Sequence, residues 1–131
     1  MKITGISMVA TILSGSIYFK AHGIEFKTIH RWEWDSTDEM AVTVQAELPT
    51  WGQSRDFRLR PTPHLNLPNW GVAIHRDADM SKVCITNHGR VPLQYLLQDV
   101  HLGYLKQTID SNHQHIIAIG QFKFWIRSWR P

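Results

Sequence analysis

A chain of 131 residues with 43% hydrophobic and 19% charged residues has the size of one domain and enough apolar mass for a core, which excludes disordered, collagen-like and low-complexity classes. Its formal net charge of +3 leans basic without the dense Lys/Arg stripe of a dedicated nucleic-acid binder. The single cysteine, Cys84, excludes an intramolecular disulfide and a cysteine zinc site, and it favours an intracellular, cytoplasmic setting.

Residues 3–19 carry no charge and follow Met1-Lys2, so they can be read as strands, as a minimal membrane anchor or as a signal segment. Seven of these seventeen residues are Gly, Ser or Thr, which is poor for an anchor and compatible with strands. Ser14-Gly15 and His22-Gly23 read as turns, because a glycine at the second loop position supplies the positive φ of a tight hairpin. The expectation is a three-stranded meander with no membrane span. Its third strand runs on to Trp34, with Phe26, Thr28, His30, Trp32 and Trp34 on one face, so that both tryptophans are core.

After the acidic turn Asp35–Glu39, Met40, Val42, Val44, Ala46 and Leu48 alternate with Ala41, Thr43, Gln45 and Glu47, the pattern of a half-buried strand. Residues 49–71 hold Pro49, Pro61, Pro63 and Pro68 and read as a long irregular excursion with one edge strand near Phe57–Arg60. Residues 72–75 and 82–86 form a hairpin ending in the turn Asn87-His88-Gly89. Pro92 then suits a first helical position, and Leu93, Leu96, Leu97, Val100 and Tyr104 fall on one helical face, which predicts an amphipathic helix near residues 92–109. Residues 116–129 close the chain as a long strand. The fold class is α+β: one domain over residues 1–131, mostly antiparallel sheet of about seven or eight strands, arranged as a sandwich or a partly open barrel, with one helix.

No phosphate loop, nucleophile elbow, His-Glu-x-x-His or Cys-x-x-Cys occurs, so no motif points to catalysis. His75, Asp77, Asp79 and His88, and separately Asp110, His113 and His115, are usable metal donors, but in turns and loops these residue types bond the local backbone, and neither spacing is diagnostic. No metal, cofactor or catalytic residue is assigned. Cys84 lies between Val83 and Ile85, where a thiol packs more often than it reacts. Glu33 with Asp35 reads as a solvated acidic turn.

The last strand is the most informative segment. Phe122, Phe124 and Ile126 take one face, so Lys123, Trp125, Arg127 and Trp129 alternate on the other. Arg55, Arg58 and Arg60 make a second basic group. Indoles and cations on one surface suit a protein interface or base stacking with phosphate contacts, although a surface covered by the 49–71 excursion is the plainer alternative. The expectation is a non-catalytic module binding a protein partner, or copies of itself, through these seven residues. A small nucleic-acid-binding domain ranks second, and an enzyme with a His-centred site third.

Overall fold

The computed structural model describes residues 9–13, 16–21, 23–58, 64–77 and 81–129. The fold is α+β and sandwich-like, with two mostly antiparallel sheets and a single α-helix. The first sheet has seven strands: β1 (Val9–Leu13), β2 (Ser16–Ala21), β3 (Ile24–Ile29), β5 (His64–Leu67), β6 (Val72–Arg76), β7 (Lys82–Asn87) and β10 (His113–Ala118). Across the sheet they lie in the order β1-β2-β3-β10-β7-β6-β5. The second sheet holds β4 (Arg55–Phe57), β8 (Leu93–Asp99), β9 (Gly103–Ile109) and β11 (Phe122–Ser128), in the order β4-β11-β8-β9.

The amino-terminal meander forms, with Gly23 at φ +81° in its second turn, while residues 3–8, Ser14-Gly15 and His22 lie outside the described residues. In the sheet it joins the rest through one parallel pair, β3 with β10, in which Glu25 faces His113. The Glu25 Oε2 to His113 Nε2 distance is 2.8 Å, and the Glu25 N–H donates to the Asn112 carbonyl at 3.1 Å. Among the described residues no helix is long and apolar enough to cross a membrane.

The main core lies between the sheets. Ile29, Leu67, Val72, Ile74, Val83, Ile85 and Ile117 face Phe57, Leu93, Tyr95, Leu97, Leu105, Ile109, Phe122 and Phe124, with period-2 spacing along β6, β7, β8, β9 and β11. Asn87 is a fully buried polar member, satisfied by donating to the carbonyls of Val91 and Ile109 and accepting from the Gly89 N–H.

Three readings of the sequence are corrected. The alternating stretch at Met40 is not a strand but lies within α1 (Asp38–Trp51). Thr37 caps this helix by accepting from the Met40 N–H, Asp38 and Glu39 place negative charge in its first turn, and Gly52 (φ +73°) ends it. Conversely, the segment expected to be a helix near 92–109 is the β8–β9 hairpin. Asp99 accepts the N–H groups of His101 and Leu102 at 2.7 and 2.8 Å, and Gly103 at φ +87° completes the turn. The closing strand is two strands in different sheets, β10 and β11, parted at Ile119–Gln121. Arg76 braces that crossing by donating to the Ile119 carbonyl at 3.2 Å and to the Gly120 carbonyl, with its guanidinium over the Phe57 ring.

The excursion is also more ordered than expected: it opens in the last turn of α1 and contributes β4 and β5, both sheet-edge strands. Residues 59–63 lie outside the described set.

Candidate interaction surface

Alternation in β11 places Phe122 and Phe124 in the inter-sheet core and turns Lys123, Trp125 and Arg127 to the opposite face of the second sheet. That face is largely covered by α1, whose residues 49–51 are also the start of the expected excursion. Val44 and Trp51 of the helix bury against Leu96 and Trp125, with Met40, Leu48 and Tyr104 packed around them. Trp125 is 7% exposed, so the indole nominated as a partner anchor is core.

Arg127 belongs to the same junction. Its guanidinium lies 3.9 Å from the Trp51 ring centroid, its Nε donates to Gln94 Oε1 at 2.9 Å, and its Nη1 donates to Thr50 Oγ1. A cation here also faces the carbonyl end of the helix, where positive charge is favoured. Lys106 extends the junction through Glu47 at 3.3 Å. Trp129 is 36% exposed just beyond β11, Lys123 is exposed near its start, and Arg55 and Arg58 are exposed on and after edge strand β4. Arg60 lies outside the described residues. The seven nominated residues therefore divide: Trp125 and Arg127 hold α1, while Lys123 and Arg58 meet at a cleft.

That cleft has a volume of about 850 Å³, and Arg58, Asp99, Val100, His101, Gln121 and Lys123 are among its lining residues. Asp56 and Gln98 contribute from the two strands flanking Lys123, since Lys123 faces Asp56 on β4 and Gln98 on β8 in register.

Sequence reasoning missed the most exposed indole. β3 ends at Ile29 and a 3₁₀ turn at Arg31–Glu33 breaks the alternation, so Trp34 packs against the core while Trp32 is 78% exposed. The Glu33 carboxylate fixes this turn by accepting from the His30 N–H at 2.7 Å and pairing with Lys27 at 3.6 Å. As a result the His30 and Trp32 rings stack, with centroids 5.6 Å apart and planes 12° from parallel. The available signal was Glu33 three residues after His30, the spacing at which a carboxylate reaches back to the first N–H of a helical turn.

The titratable candidates are dispersed. Among the described residues no three His, Cys, Asp or Glu side chains are grouped to hold a metal ion. His75 stands on β6 with an exposed side chain, Asp79 lies outside the described residues, and His113 is engaged with Glu25 and the Ser111 carbonyl. Burial raises the Cys84 thiol above its usual range, aided by Asp77, which lowers its thiolate fraction. His115 is fully buried with Nδ1 2.6 Å from the Tyr95 hydroxyl, and desolvation pushes its imidazole down to about 3. Compared with protein-family models, curated proteins and solved structures, the chain matches none.

Proposed function

We propose that the protein is a non-catalytic interaction module that binds a protein partner or copies of itself, with Trp32 as its anchor. The supporting observation is that Trp32 is 78% exposed with its ring stacked on His30, on a turn that the Glu33 bonds close. An indole already stacked loses less side-chain freedom on binding and presents a large area to desolvate, the properties of an interface anchor. Arg31, exposed beside it, is the other residue type enriched in such anchors.

A photo-crosslinking residue placed at the exposed position 31, beside the intact indole, tests this reading. A discrete adduct, with one protein or with the chain itself, that unlabelled protein competes away supports it. Diffuse labelling that competition does not reduce overturns it. A second reading, single-stranded nucleic acid, draws on the same flat stack and adjacent cation, which suit a base and its phosphate. It requires a mobility shift with an oligonucleotide that weakens steeply between low and high salt and disappears in Trp32→Ala.

A further inference from the structure

The cleft at the end of the second sheet is built from a different set of residues and faces different chemistry. Three strands bring Asp56, Lys123 and Gln98 into one row, directly opposite one another in register. Side chains at such positions stand about 5 Å apart at Cβ, so a carboxylate, an ammonium and an amide are side by side on one face. The row lies on the α1 side of β11, since Phe122 and Phe124 point into the core. The hairpin turn after β8 walls the cleft with His101.

The charges in the cleft are unevenly committed. One oxygen of Asp99 already accepts two backbone N–H groups from its own turn. Among the described residues no ion pair engages Lys123, Arg58 or Asp56. The cleft thus holds two cations and two carboxylates, and with one Asp99 oxygen turned to its own backbone, Lys123 and Arg58 stand to receive an anion, Asp56 to accept a hydrogen bond and Gln98 to do either. The volume of about 850 Å³ falls within the roughly 300–1,000 Å³ of small-molecule sites.

We propose that this cleft binds a small anion bearing hydroxyl groups, of sugar-phosphate or sugar-acid size. The anionic group meets Lys123, with Arg58 at the rim, and a neighbouring hydroxyl donates to Asp56. The shared requirement is an anion beside a hydroxyl, so phosphoryl and carboxylate ligands are separate arms of one test.

Calorimetric titration with inorganic phosphate, glucose 6-phosphate, glucuronate and glucose, followed by backbone NMR shift mapping, examines it. The expected order places glucose 6-phosphate or glucuronate ahead of inorganic phosphate, with glucose not binding. Shifts concentrate at residues 56, 98, 101 and 123. Lys123→Met weakens the best ligand by about tenfold or more, as loss of one charge-assisted hydrogen bond implies, and Asp56→Asn weakens the sugar ligands but not inorganic phosphate. Trp32→Ala leaves this binding unchanged, so the cleft and the Trp32 reading fail separately. No binding by any anion at millimolar concentration, shifts located elsewhere, glucose binding as tightly as its phosphate, or an unaltered affinity in Lys123→Met would overturn the proposal.

Discussion

Tyr95 on β8 and His115 on β10 connect the two sheets through the middle of the core, with the hydroxyl 2.6 Å from Nδ1 and the rings edge to face at 5.5 Å. Both side chains are essentially inaccessible to water. Tyr95→Phe removes this bond and keeps the ring, so it should cost about 1–3 kcal/mol in urea unfolding. A change below about 0.5 kcal/mol would show that the bond contributes little.

The same histidine makes stability acid-sensitive. Desolvation, helped by Lys27 and His113, lowers the imidazole from 6.5 to about 3. The unfolded chain takes up this proton as pH falls through 6.5, whereas the folded chain resists until about 3. The contribution of a neutral His115 is therefore whole above 6.5 and is lost between 6.5 and 3, by up to about 1.4 kcal/mol per pH unit. Urea midpoints at several pH values across that window, for the natural chain and His115→Gln, should show a shallower acid slope in the variant.

Gly103 carries two separate constraints. Its φ of +87° disfavours any other residue, and a Cβ there would stand 2.3 Å from the Asp35 carbonyl oxygen. That contact is the bridge in which Asp35 and Tyr104 exchange backbone hydrogen bonds at 2.8 Å. Gly103→Ala should destabilise by about 2 kcal/mol or more and perturb NMR signals at residues 35–37. An unchanged melting temperature would exclude the close approach.

Cations on β11 and β4 should differ sharply in effect. Arg127→Ala forfeits the Trp51 stack and the bonds to Gln94 and Thr50, for about 1–3 kcal/mol. Arg55→Ala, at an exposed edge position, should stay within about 0.5 kcal/mol. Trp125→Ala should cost about 3–5 kcal/mol as a core truncation. Thermal unfolding of the three variants checks the ranking.

Trp32→Ala should leave the melting temperature almost unchanged, because the indole is mainly in water. A loss comparable to that of Trp125→Ala would mean that Trp32 supports the fold.

The two exchanged elements show which information was local. Met40, Val44 and Leu48 fit period 2 and period 3.6 equally, since a spacing of four satisfies both. Val42 separates the readings: a strand would bury it with them, whereas in α1 it is 69% exposed. The cap at Thr37 and the acids after it were the deciding signals in the sequence. In β8 the adjacent Leu96 and Leu97 looked helical because both are buried, one beneath α1 and the other between the sheets. A strand covered on both faces loses its alternation. The alternation of Lys123, Trp125 and Arg127 along β11 was legible, whereas Trp129 falls beyond the strand and the helical cover was not foreseen, because a helix read as a strand could not be placed over Trp125. Trp32 escaped notice because a three-residue turn rotates the chain within an otherwise alternating run.

The parallel join between β3 and β10 also sets an order of assembly. Its strands come from near opposite ends of the chain, so this ladder closes the longest loop in the sheet and gains nothing until most of the chain has collapsed. The antiparallel partners β6 and β7 are near each other in sequence and need no such wait. The first three strands should therefore dock late in refolding. On the native side, opening of the Glu25–His113 end of that ladder should let the β3 amides bonded to β10 exchange with solvent in a hydrogen-exchange experiment, while those buried between the two sheets stay protected.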